Sequence, residues 1–149
     1  MKLTVSVDAA ADPASTWAVV TDVTSWPRWT ASMTSVERLD DGPLRVGSRA
    51  RVKQPGMSAL VWEVTAVTEG AEFTWANTSP GVRTVARHRV TPTPSGATRI
   101  TLELDQTGPL AGLVGLLTGR RTRRFLDQEA AGLKAASESH APESGAAAG

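Results

Sequence analysis

The chain of 149 residues is long enough for one domain that buries about two thirds of the surface its unfolded form exposes. Its 40% hydrophobic and 21% charged content is ordinary for a soluble globular protein, and no apolar run approaches the ~18 residues of a membrane span. A net charge of +1 excludes a general attraction to nucleic acid, zero cysteines exclude disulfides and thiolate metal sites, and only two histidines, His88 and His140, argue against a catalytic zinc.

Leu3, Val5 and Val7 alternate with Lys2, Thr4, Ser6 and Asp8, the period-2 pattern of a half-buried strand. That pattern is unlike the apolar block of a signal peptide, and a cytoplasmic location is expected. Asp12-Pro13 supplies an N-cap and a proline at the first helical position, predicting a short helix that ends near Asp22 with Trp17 and Val20 on its buried face. In Thr24-Ser25-Trp26-Pro27-Arg28-Trp29, Pro27 biases Trp26 toward an extended conformation and is expected to open a second short helix.

From Thr34 onward, turn chemistry at Asp40-Asp41-Gly42-Pro43, Gln54-Pro55-Gly56, Glu69-Gly70, Ser79-Pro80-Gly81 and Thr93-Pro94-Ser95-Gly96 separates short alternating segments. Strands are expected near 34–39, 47–54, 59–68, 72–77, 82–91 and 98–106, forming an antiparallel meander with the first strand added at an edge. Arg49, Arg51, Lys53, Arg83, Arg87, Arg89 and Arg99 share an outer parity with Glu63, Glu103 and Asp105, so the charges should pair across strands. The inner parity carries Val46, Ala50, Val52, Leu60, Trp62, Val64, Phe73, Trp75, Ala86, His88, Val90, Ile100, Leu102 and Leu104.

Nothing between Pro109 and Ser139 forces a stop, so one long helix is expected. Leu110, Leu113, Val114 and Leu117 share one face, whereas Leu126, Glu129, Ala130 and Leu133 point about a third of a turn away, which predicts a bend at Gly119. Gly112, Gly115 and Gly119 either let the helix approach the sheet closely or loosen its first half into a gate; the first reading is preferred. The run Arg120 to Arg124 reads as a solvated face, with Asp127, Glu129 and Glu138 as countercharge on the same helix. The alternative is contact with an anionic membrane, with Leu113, Leu116 and Leu117 inserting. The last ten residues, His140 to Gly149, lack a large apolar anchor and are expected to be disordered, leaving residues 1–139 as the domain.

A strand, two small helices carrying Trp17, Asp22 and Trp26-Pro27-Arg28-Trp29, a six-strand meander ending in Gly96-Ala97-Thr98-Arg99-Ile100 and a long closing helix are the residues that matter here. Together they resemble the polyketide cyclase/dehydrase branch of the START-like (SRPBCC, helix-grip) superfamily. The resemblance implies an α+β helix-grip fold like that of START and Bet v 1 proteins, in which a seven-stranded antiparallel sheet wraps around the C-terminal helix. It also implies a hydrophobic cavity between them.

With that cavity, the residues expected at its wall or mouth are Trp26, Trp29, Trp62, Phe73, Trp75, His88, Leu102, Val114, Leu117 and Arg121. Trp62 and Trp75 suit both core and ligand wall, while Trp26 and Trp29 suit plugs or lids. His88 is a lone imidazole on an apolar parity, more often a histidine bonded to a neighbour than a general acid/base. Asn77 is a turn residue first and a ligand contact second. The expected function is binding or carriage of a small hydrophobic, lipid- or polyketide-like molecule by a monomer or homodimer, without cofactor, metal or nucleic acid. The alternatives are a metal-free cyclase/dehydratase-like enzyme using His88, and a protein-interaction adaptor.

Overall fold

A computed structural model describes residues 1–140 of the chain. The expected disorder of the tail falls on residues that, after His140, lie outside the described part. Strand β1 (Lys2–Ala9) exposes Lys2, Thr4, Ser6 and Asp8 and half-buries Leu3, Val5 and Val7, as its alternation requires. Helix α1 (Pro13–Thr21) starts at Asp12, whose carboxylate accepts from the Ser15 N–H at 3.1 Å, with Pro13 supplying a preset φ.

A short 3-10 helix, Val23–Arg28, follows at once and differs from expectation. It begins four residues before Pro27, and Trp26 lies inside it instead of being extended. The Trp26 indole is completely buried, and its carbonyl accepts from both the Trp29 and Thr30 N–H groups. Core burial thus outweighs the steric bias that proline places on its predecessor.

The remaining strands are β2 (Ser35–Arg38), β3 (Arg49–Lys53), β4 (Leu60–Thr68), β5 (Glu72–Ser79), β6 (Val82–Pro92) and β7 (Thr98–Thr107). They form a seven-stranded antiparallel sheet in the order β1-β7-β6-β5-β4-β3-β2. On its outer face Arg49 pairs with Glu63, Arg51 with Glu37, Arg87 with Glu103, Arg89 with Glu72 and Arg99 with Asp8, all across neighbouring strands. Val46 departs from its expected inward position, because β3 starts only at Arg49 and leaves Val46 in the preceding loop, 62% exposed.

One irregularity shapes the concave face. Between Val64 and Ala66 the register of β4 shifts against β5, so that Val64 opposes Trp75 and Val67 opposes Phe73. Thr65 and Ala66 both turn to solvent, and Val67 takes the inward place. Such a bulge adds bend and twist to the strand that carries it.

Helix α2 (Ala111–His140) lies against β1, β7 and α1. Its second half buries Phe125, Leu126, Glu129, Ala130, Leu133 and Ala136, while Leu113, Leu116 and Leu117 in its first half are 54%, 82% and 74% exposed. The bend at Gly119 was required only if both apolar faces were to pack. Helical structure is unbroken through Gly119, and only the second face meets the core. The tightest backbone approach is at Gly132, where a β-carbon would stand 2.3 Å from the Trp29 carbonyl oxygen. By contrast Gly112 faces open space, and only the flexible Met1 side chain approaches Gly115 and Gly119.

Candidate functional site

Between the concave sheet and the second half of α2 lies a cavity of about 110 Å³. Trp62 of β4, Trp75 of β5, Ala86 and His88 of β6, and Leu102 and Leu104 of β7 form its floor. Trp26 of the 3-10 helix and Phe125, Leu126 and Glu129 of α2 form its roof, with Met33 and Met57 completing the side toward the β3–β4 hairpin. Each floor residue follows from strand parity, and the roof residues are the ones that the 3.6-residue period of α2 turns toward the sheet.

The polar centre of this apolar space is a pair. His88 Nε2 and Glu129 Oε1 are 3.2 Å apart, with side-chain exposures of 3% and 9%. Phe73 stacks on the imidazole with ring centroids 4.3 Å apart and planes 8° from parallel. Trp26 and Trp75 stand 5.2 and 5.8 Å away, the latter edge-on. A buried carboxyl group is tolerated only when paired and hydrogen-bonded, so the Glu129–His88 contact is what permits both residues to be buried here.

Two ring nitrogens in this cluster have no partner among the described residues: His88 Nδ1 and Trp26 Nε1. The indole nitrogen can only donate. With Glu129 ionised, His88 donates from Nε2, and Nδ1 becomes an acceptor on the neutral ring or a second donor on the imidazolium. Native proteins leave few buried polar groups unpaired, so each that is left calls for a partner from solvent or from a ligand or for a structural reason.

The ten residues expected at the cavity separate into two sets. Trp26, Trp62, Trp75, His88 and Leu102 come together at its wall. Trp29 is half-buried beyond Trp26, and Phe73 is completely buried behind His88. Val114 and Leu117 lie up the exposed half of α2, and the Arg121 guanidinium is beside Gly56 of the β3–β4 hairpin. Asn77 sits in β5, donating to the Val61 carbonyl at 2.8 Å and accepting from Ser79. Glu129 was missed as a site residue and counted as solvated countercharge. The signal that could have found it is its position on the same helical face as Leu126, Ala130 and Leu133, an acid within an apolar stripe.

The profile of the family described as "Polyketide cyclase / dehydrase and lipid transport" matches residues 1–138. The chain belongs to that family. Among solved structures, a START superfamily protein from Mycobacterium smegmatis superposes with a TM-score of 0.68 at 17% identity, over 89% of this chain and 96% of that one. A hypothetical protein from Helicobacter pylori gives 0.74 at 17% identity, over 91% and 86%. The di-domain ARO/CYC BexL from the BE-7585A biosynthetic pathway gives 0.69 at 15% identity, over 93% of this chain and 46% of that one. At these identities the likeness is one of fold, and no curated protein matches the sequence. Membership of this family fits hydrophobic ligand binding or cyclase-like chemistry without selecting between them. Among the described residues no helix is long and apolar enough to cross a membrane, and no cluster of three or more His, Cys, Asp or Glu side chains could hold a metal ion.

Proposed function

We propose that the protein binds a small, largely apolar molecule in the cavity under α2, and that the molecule's polar group meets Trp26 Nε1 and His88 Nδ1. The observation that carries this reading is the pair of unpartnered, buried ring nitrogens at the aromatic side of the cavity, whose lining also brings in polar side chains such as Thr84, Thr122 and Gln106, the last with its own unpartnered Oε1. A hydroxyl group suits both atoms, because one oxygen can accept from the indole N–H while donating to a neutral imidazole. Size sets a further limit. An engineered apolar cavity of about 150 Å³ in another protein holds benzene, so the 110 Å³ here suits one ring or a short chain unless α2 and the β3–β4 hairpin part.

The test uses the tryptophans on the wall as reporters. Toluene and p-cresol, and short alkanes against their primary alcohols, are titrated while the intrinsic emission is followed. The hydroxylated member of each pair should bind about five- to tenfold more tightly, the scale of one net hydrogen bond. Trp26→Phe should remove that preference while keeping the apolar affinity. If none of these molecules changes the emission or raises the melting temperature, the binding reading fails.

The Glu129–His88 pair also favours a second reading, proton transfer by a cyclase/dehydratase-like enzyme. A carboxylate that orients an imidazole by one nitrogen leaves the other to act as general base or acid. On that reading His88→Gln abolishes turnover of a bound polyketide-like molecule while keeping affinity within about tenfold. On the binding reading the same variant shifts affinity modestly, and the unmodified molecule is recovered intact from both proteins.

A further inference from the structure

Leu110 and the first half of α2 present a row of leucines that the described part of the chain leaves largely uncovered, although the Met1 side chain lies against Gly115 and Gly119. Leu110, Leu113, Leu116 and Leu117 are 45%, 54%, 82% and 74% exposed and span on the order of 10 Å of helix axis. One turn further on stand Arg120, Arg121, Arg123 and Arg124, and among the described residues none of them forms an ion pair. The acids that could have offset them along the helix are committed elsewhere. Glu129 is buried against His88, and Glu138 binds Lys134 and the Ala10 N–H. Asp127 alone remains exposed beside the arginines.

From this juxtaposition we infer that the first half of α2 docks on an anionic lipid surface, the leucines entering the acyl boundary and the arginines lying at the phosphate level. An apolar helix face beside a cluster of arginines is the composition of a helix that lies in the headgroup region of an anionic membrane. The long aliphatic stems of the arginines let their guanidinium groups reach phosphates while the helix end is immersed. A second copy of the chain fits this face poorly, because an isologous contact through the leucines would gather two unpaired arginine clusters around it. An anionic surface supplies the missing countercharge. Thr122, within the arginine run, and Phe125, directly after it, line the cavity, so docking sets the cavity's helix side next to the lipid headgroups.

The full chain is sedimented with vesicles of phosphatidylcholine alone and with 30–40% phosphatidylglycerol, at low and high salt. Binding is expected only to the anionic vesicles and should weaken with salt. Leu116→Ser/Leu117→Ser should lower the partition about tenfold or more per leucine, and Arg120→Gln/Arg124→Gln about fivefold per arginine. These side chains are exposed, so circular dichroism and the melting temperature should stay unchanged in both variants. Failure to bind anionic vesicles at low salt overturns the proposal, as does equal binding to neutral vesicles or binding that survives the leucine substitutions. A concentration-dependent dimer in sedimentation velocity that the leucine variant abolishes also overturns it, since the face is then covered by a second copy. None of these outcomes depends on whether the cavity binds a small molecule.

Discussion

At the scale of single residues, the chemistry gathers around two side chains from distant parts of the chain, His88 and Glu129, which α2 and β6 bring within 3.2 Å. The imidazole was visible in the sequence because it interrupts an apolar strand parity. The carboxylate was not recognised, because an acid on a helix with neighbouring arginines looks solvated until the helix is placed against the sheet. Their mutual dependence is testable. Glu129→Ala removes the only partner His88 has among the described residues and leaves a gap in the cavity roof, and should destabilise the fold by about 2–3 kcal/mol. Glu129→Gln keeps an oxygen that can accept from His88 Nε2 and should cost under about 1 kcal/mol. Chemical denaturation measures both, and equal losses would show that the pairing contributes little beyond packing.

At the scale of elements, the strands were legible because period-2 alternation and glycine- or proline-marked turns bracket each one; observed and expected strand ends differ by at most two residues. Less legible were features that depend on what an element touches. The bulge of β4 shows in the alternation only as one apolar residue, Val67, on the parity of Glu63 and Thr65, and the close approach to the sheet expected of Gly112, Gly115 and Gly119 is not what those glycines do. Contact singles out Gly132, pressed against the Trp29 carbonyl, and leaves Gly112 in open space. In Gly112→Ala the helix should gain about 0.5–1 kcal/mol, since alanine is the better helix former and nothing resists the added methyl. Gly132→Ala should instead lose about 1–3 kcal/mol, because the α2 backbone must retreat from the 3-10 helix that seats Trp26. Opposite signs in thermal melts are the expected result, and stabilisation by both would mean that the α2 contact with Trp29 yields freely.

At the scale of the whole molecule, the grip of sheet on helix was readable from the order of elements, whereas how the two ends of the grip are fastened was not. Three carboxylates act near one end of the grip: Glu138 ties α2 to the β1–α1 connection, Asp8 ties β1 to β7, and Asp12 caps α1. The Ala10 N–H and then Lys134 hold the Glu138 carboxyl below its ordinary range, hydrogen bonds from Ser15 do the same for Asp12, and the Arg99 guanidinium does it for Asp8. A carboxyl whose folded pKa is depressed binds protons more weakly in the native state than in the unfolded one. Its contribution is therefore complete above the unfolded value, about 4, and disappears as pH falls through the lowered folded value. The melting temperature should accordingly be insensitive to these groups between pH 7 and about 5 and should fall below about pH 4. Glu138→Gln keeps an oxygen for the Ala10 N–H but cannot titrate, so its melting temperature at pH 7 should lie slightly lower and its loss between pH 5 and 3 should be smaller. Parallel pH profiles for the two proteins would place the acid sensitivity elsewhere and remove Glu138 from the fastening of α2.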